Sequence, residues 1–259
     1  MTEWNAELYR ERSSLQQTMA AEVLQALDLT SSKRVLDVGC GDGRITSEIA
    51  RRVPQGCVIG VDASSNMIEL ASQKMGPNLR FEVADARWLP FSHEFDLIVS
   101  FNALHWIHEQ DLALASIHNS LRPGGTAHLR LVPMGSRKSV ETVLEEARNS
   151  PAWSQYFREF RDPYVRLTSE QYCSLAEKSG FRVERVQTES KTWDFGTRAE
   201  FFAFSSVTMV EWTKQLPESL RSLFITDVLD RYQAVAAEKP GQEGTFRFYQ
   251  MTIVLKALP

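Results

Sequence analysis

Cysteine is scarce. The three in 259 residues, Cys40, Cys57 and Cys173, are scattered, odd in number and without ligand spacing. They support neither a disulfide framework nor a metal site, and they suit a reducing cytoplasm. Positive charge is also short: 29 Lys+Arg stand against 33 Asp+Glu, a formal net charge of −4. No global field attracts nucleic acid or anionic lipid. No apolar run approaches the ~18 residues that cross a bilayer. Met1-Thr2-Glu3-Trp4-Asn5 lacks the basic start and apolar stretch of a secretion signal. Internal repeats and low-complexity segments are absent. The expectation is a cytoplasmic protein without a membrane or nucleic-acid partner, its oligomeric state unspecified.

What is present is an ordinary globular composition, 43% hydrophobic and 24% charged. The length suits one α/β domain, residues 1–259, with a little left over for a lid. Met19–Leu27 has helical apolar spacing. Arg34–Val38, Val58–Val61, Leu79–Val83, Phe95–Phe101 and Ala127–Val132 read as strands, separated by helices at Thr46–Arg52, Asn66–Met75 and Asp111–Leu121. Arg122-Pro123-Gly124-Gly125 reads as the stop of the last of these. This alternation predicts a doubly wound, mostly parallel sheet, because continuously apolar strands need cover on both faces.

After Pro133 the pattern changes. Ser139–Phe160 looks helical and aromatic, with Trp153, Tyr156, Phe157 and Phe160. Thr168–Ser179 reads as a helix capped by Thr168 and stopped at Gly180. Phe181–Thr192 and Phe246–Leu255 alternate as strands, with helices across Arg198–Ala237 between them. The expected core covers about residues 20–135, 168–195 and 245–258. Lid segments at about 136–167 and 197–240 would sit over the carboxyl ends of the strands, where ligands bind in such sheets.

Val35-Leu36-Asp37-Val38-Gly39-Cys40-Gly41-Asp42-Gly43 runs from a strand through a glycine turn into a helix. The glycines allow a tight turn and a close ligand approach. The spacing is not that of nicotinamide proteins, and no Gly-Lys-Ser/Thr follows to cradle phosphates. Asp62 ends the second strand roughly 20 residues on, where an acid holds ribose hydroxyls; otherwise it is a turn or helix-capping residue. Asp85 follows the third strand, where a carboxylate could accept from an adenine amine.

Together, LDVGCGDG, VDASSNM, ADARWLPF, FDLIVSFNALHWI and LRPGG, in this order over about Lys33 to Val132, resemble the class I S-adenosylmethionine-dependent methyltransferases. The resemblance implies a Rossmann-like seven-stranded α/β sheet whose last strand is antiparallel, with S-adenosylmethionine as cofactor. The cofactor residues it implies are Asp37, Gly39, Cys40, Gly41, Gly43, Asp62, Ala63, Met67, Asp85, Ala86, Asn102 and Ala103. Among these, Asp37 and the glycines border the methionine moiety, and Asn102 lies beside the sulfonium.

The acceptor is less clearly marked. Trp4-Asn5-x-x-Leu8-Tyr9, Ser14-Leu15-Gln16 and Asn102-Ala103-Leu104-His105-Trp106 resemble the trans-aconitate and juvenile hormone acid methyltransferases, which esterify carboxylic acids. That resemblance implies that Gln16 and Trp106 hold the acceptor carboxylate of a small or medium organic acid. A carboxylate is ionised near neutral pH, so it needs alignment and desolvation but no base. Trp106 offers an N–H and Gln16 an NH₂. Against this, Gln16 also suits a solvated helix face and Trp106 a packed strand end. His105 is the rival, as general base for a phenol or amine acceptor, or as a packed histidine. N- or C-methylation of another metabolite, malonyl-thioester carboxyl methylation and a non-catalytic cofactor-binding module remain alternatives. Lid arginines (Arg137, Arg158, Arg161, Arg166, Arg198) could grip a second carboxylate, or lid aromatics could line an apolar pocket.

Overall fold

In the computed structural model, residues 14–29, 33–239 and 241–258 are described, which leaves Trp4, Asn5, Leu8 and Tyr9 outside the described residues. The strands are β1 (Arg34–Val38), β2 (Cys57–Asp62), β3 (Leu79–Val83), β4 (Phe95–Phe101), β5 (Leu121–Leu131), β6 (Phe181–Asp194) and β7 (Thr245–Ala257). They form one sheet in the order β3-β2-β1-β4-β5-β7-β6. The first five are mutually parallel, and β7 runs antiparallel to both neighbours.

Residue alternation explains why the central strands are apolar throughout. Val35 pairs with Val58 and Leu97, and all three pack on one face. Leu36 pairs with Ile59 and Ile98, and these pack on the other. The helices are α1 (Ser14–Ala26), α2 (Arg44–Arg52), α3 (Ser65–Ser72), α4 (Gln110–Ser120), α5 (Val140–Arg148), α6 (Ser169–Lys178), α7 (Arg198–Thr208), α8 (Val210–Thr213) and α9 (Glu218–Ala236). Of these, α1 to α3 pack on the first face and α4 and α6 on the second, whereas α5 and α7 to α9 pack with one another. Each fully buried aliphatic side chain contributes about 1.5–3 kcal/mol.

Several boundaries differ from the sequence reading for local reasons. The helix expected over Ser139–Phe160 stops at Arg148 and is followed by a 3₁₀ turn at Ser154–Tyr156. Pro151 lies just beyond that end and cannot donate to the helix ladder. Asp62 does not cap α3; Ser64 does, its hydroxyl accepting from the Met67 amide. The Arg122–Gly125 stretch is a bulge inside β5: Phe95 pairs with Leu121, and the next pair is Leu97 with Thr126. The expected Thr168 cap is a full capping box, with Gln171 returning a hydrogen bond to the Thr168 amide.

The last two strands overrun the sheet. β5 pairs with β7 only as far as Leu131–Met251, whereas β6 and β7 stay paired out to Asp194–Thr245. This two-stranded ribbon projects past the carboxyl end of β5 and carries Phe246 and Phe248 with it. There they join a second apolar cluster, built with Leu15, Val143, Phe201, Trp212, Phe224 and Tyr232 from α1, α5, α7, α8 and α9. A cavity of about 590 Å³ lies between this cluster and the sheet. No helix among the described residues is long and apolar enough to cross a membrane.

Candidate active site

The floor of the cavity is the turn after β1. Gly39, Gly41 and Gly43 all have positive φ, at 76°, 54° and 74°. At Gly39 the need for glycine is twofold: a Cβ would lie 2.2 Å from the Ala103 Cβ, so the turns after β1 and β4 meet there with no side chain between them. The Gly39 and Cys40 amides donate to the Val61 carbonyl at 2.8 and 3.0 Å, which fastens the turn to the end of β2. Gly41 has nothing within 4 Å of its Cβ position, so that side is open to a ligand.

Asp62 ends β2 and is oriented by backbone. One carboxylate oxygen accepts from the Gly41 amide at 3.0 Å, the other from the Ser64 amide at 2.9 Å. These two amides fix the orientation of the carboxylate at the cavity wall. Asp85 follows β3 and is gripped by Arg87, with Nη2 donating at 2.6 Å and the Arg87 amide at 3.0 Å. Arg87 also donates to Glu109 at 2.9 Å. The Arg87 hydrogen bond holds the Asp85 carboxyl below its usual range.

The opposite wall begins at the end of β4. Asn102 has φ 57°, its amide donates to the Arg130 carbonyl at 2.7 Å, and its Oδ1 accepts from Gln250 at 3.1 Å. This left-handed residue turns the chain into the short 3₁₀ helix Leu104–Trp106. Gln110 pins that helix by donating to the Leu104 and Ile107 carbonyls. The segment 161–165 is tied to it in turn: the Val165 amide donates to the His105 carbonyl at 2.8 Å, and His108 Nε2 contacts the Asp162 carbonyl at 2.7 Å. Tyr164 thereby packs edge-on against Trp106, ring centroids 5.2 Å apart, and against His105 at 4.7 Å.

The chain matches the methyltransferase domain family over residues 35–125. It is 28% identical to a methyltransferase of Invertebrate iridescent virus 6, across 88% of this chain and 85% of that one. It is 25% identical to a trans-aconitate 2-methyltransferase of Delftia acidovorans, across the whole of both. The fold is shared with Haemonchus contortus phosphoethanolamine N-methyltransferase 2 solved with S-adenosylhomocysteine: TM-score 0.63, 17% identity, 98% of this chain and 57% of that one. The chain is a class I S-adenosylmethionine-dependent methyltransferase.

The cavity of this methyltransferase suits its cofactor, since ligand sites commonly measure about 300–1,000 Å³. Of the residues expected from sequence to bind it, Gly39, Gly41, Asp62, Ala63, Met67, Asp85, Ala86, Asn102 and Ala103 line the cavity. Asp37, Cys40 and Gly43 do not; they sit behind the turn. Asp37 is 2% exposed and accepts from Thr46 Oγ1 at 2.7 Å. Burial, with the Asp62 charge adding to it, pushes the Asp37 carboxyl up to about 7. Burial also drives the Cys40 thiol well up, helped by Asp37, Asp62 and Asp42, so it is no nucleophile. Gly43 makes room for Phe81, whose ring would lie 2.6 Å from a Cβ.

His105 and Trp106 both line the cavity. His105 is a wall residue with little basicity: burial lowers its imidazole to about 3, and Nδ1 accepts from the Val132 amide at 3.4 Å. Nε2 is then the ring's N–H. Gln16 lies on α1, its side chain outside the described residues, between Leu15 and Met19, which line the cavity. Arg130 of β5 holds α1 in place, donating to the Met19 carbonyl and to Glu22, both at 2.8 Å. Sequence reasoning missed Tyr164, Glu141, Glu211 and the pair Phe246/Phe248 as cavity residues. The period-two spacing of Phe246 and Phe248 was the available signal. It gives their common face but not the overrun that brings that face to the site.

Proposed function

We propose that this methyltransferase esterifies a carboxylic acid, with the acceptor carboxylate held by Gln16 and Trp106. The observation that carries the reading is the position of Trp106. It stands on the pinned turn directly after Asn102 and Ala103, beside a histidine too weakly basic to deprotonate an acceptor. A transfer that needs no proton removed fits such a wall. The similarity to trans-aconitate 2-methyltransferases supports the same reading.

Bound S-adenosylmethionine supplies an electrophilic methyl group, and its transfer to a carboxylate leaves a neutral ester and a neutral thioether. The residues of the chain bind, orient and exclude water. Asp62 takes the ribose, and the Gly39–Gly41 turn gives the close backbone approach. Trp106 donates to one acceptor oxygen and leaves the other aligned for in-line attack. The aromatic lid keeps the carboxylate poorly hydrated and reactive.

A panel of free acids assayed for methyl-ester formation tests this directly. Gln16→Ala and Trp106→Phe are expected to lose turnover while cofactor affinity is retained. Intact turnover in both variants would remove their assigned roles. A second reading, methylation of a phenol or amine, is favoured by one observation: the carboxyl of Glu141, in the cavity wall, is raised by burial and would suit a base. Activity on neutral nucleophiles, abolished by Glu141→Gln, would establish it instead.

A further inference from the structure

The acceptor end of the cavity is poor in lid cations. Of the five lid arginines, Arg161 alone lines the cavity among the described residues, and it is exposed. Arg137 donates to Ser190 and lies over the Tyr249 ring. Arg166 pairs with Asp162 and donates to the Tyr164 and Glu141 carbonyls. Arg198 pairs with Asp230, and Arg158 is exposed.

The carboxylates in the wall are Glu141 and Glu211. Glu211 is neutralised by Lys214. Glu141, in the first turn of α5, has no such ion pair among the described residues. Burial raises its carboxyl, while hydrogen bonds from Ser139 and from its own amide, and the Arg166 charge, oppose the rise. Near it stands Tyr164, whose buried hydroxyl has no hydrogen-bond partner among the described residues. Phe201, Phe204, Phe246 and Phe248 supply the apolar remainder of this end.

Against such a wall a second acceptor carboxylate would share poorly solvated space with the Glu141 carboxyl, where two negative charges repel strongly and cannot both be held. A hydrogen-bond donor meets an acceptor. Resting on the carboxyl-methylation reading, we propose that the acceptor is a monocarboxylic acid whose apolar body carries a hydrogen-bond-donating group, such as a hydroxyl, received by Glu141. Di- and tricarboxylates are excluded by the same side chain.

The test compares lauric acid, hydroxylauric acids with the hydroxyl moved along the chain, the dicarboxylic acid of equal length, and aconitate. Ester formation is measured, and so is calorimetric binding to the enzyme–S-adenosylhomocysteine complex. At least one hydroxy acid is expected to exceed lauric acid about tenfold in kcat/KM, with the diacid about tenfold below it. Glu141→Gln, which keeps side-chain shape, is expected to relax the exclusion of the diacid; Glu141→Leu is expected to erase the hydroxyl preference. Cofactor affinity and melting temperature report folding, and the Gln variant with calorimetry suffices if the Leu variant is unstable.

Preference of the wild type for the diacid or aconitate, lost in Arg161→Gln, overturns the proposal. So does unchanged selectivity in both Glu141 variants. Binding in the expected order without ester formation would refute carboxyl transfer while leaving this reading of the wall in place. Ester formation in the opposite order would do the reverse.

Discussion

Replacing Asp37 by Asn tests whether the base of the cofactor turn stores electrostatic strain. Asp37 is 2% exposed, has Thr46 as its side-chain donor and faces the Asp62 charge. Its carboxyl rises from an ordinary 3.8 to about 7. In that interval the folded protein keeps a proton that the unfolded chain has released. Stability from this residue is therefore fully present below about pH 4 and is lost as pH rises to about 7. Above that it is constant. About three units at 1.36 kcal/mol each make this loss about 4 kcal/mol. His105 works the other way: its imidazole falls from 6.5 to about 3, so its contribution is present above 6.5 and is lost as pH falls. The two slopes oppose each other between about pH 4 and 6.5, so the wild type alone conceals both.

Asn at position 37 keeps an oxygen to accept from Thr46 and cannot ionise. The difference in urea-unfolding free energy, wild type minus Asp37→Asn, is expected to fall by roughly 1.4 kcal/mol per pH unit between about pH 4 and 7, then level off. Subtraction removes the His105 contribution, which both proteins share. A difference independent of pH would refute the reasoning, because it would mean that Asp37 ionises in the folded protein as it does in water.

Three further outcomes are expected. Gly39→Ala should abolish cofactor binding in a calorimetric titration and lower the melting temperature, because the new methyl meets Ala103 at 2.2 Å and φ stays at 76°. Trp106→Phe keeps the ring packed against Tyr164 and removes the N–H; kcat/KM should drop about 10–100-fold in steady-state kinetics. Arg130→Met leaves the Met19 carbonyl without its side-chain donor and Glu22 with Lys191 alone; losing these contacts should cost about 1–2 kcal/mol, raise the acceptor KM, and increase amide exchange in α1 above that of the sheet.

The sheet was legible in the sequence because each central strand carries two apolar faces on consecutive residues. Val35 and Leu36 alone declare a strand covered on both sides. The cofactor turn was legible for a related reason: three glycines at alternate positions, all left-handed in the structure, leave few backbone shapes available. Asp62 was found, but its anchoring was not. The Gly41 and Ser64 amides that hold it lie on different turns, and no local pattern reports their approach. Asp85 was read as a free acceptor, yet Arg87 two residues on grips it. That contact is short-range in sequence and was open to recognition.

The acceptor wall was hidden for a deeper reason. Glu141, Tyr164, Phe201 and Phe246 come from four separated segments, and each has an unremarkable role in its own element: a first-turn acid, a loop aromatic, a helix core residue and a strand core residue. Their meeting depends on two long-range features, the overrun of β6 and β7 beyond β5 and the tie of segment 161–165 to the turn after β4. Arginines follow the same logic in reverse. Counted in sequence, five of them left a cationic pocket as open as an apolar one, but three have side-chain partners that hold them away from it. A charge's neighbours decide whether it reaches a ligand. The cofactor end of this site is therefore written locally in the chain, whereas the character of the acceptor end is a property of the folded lid.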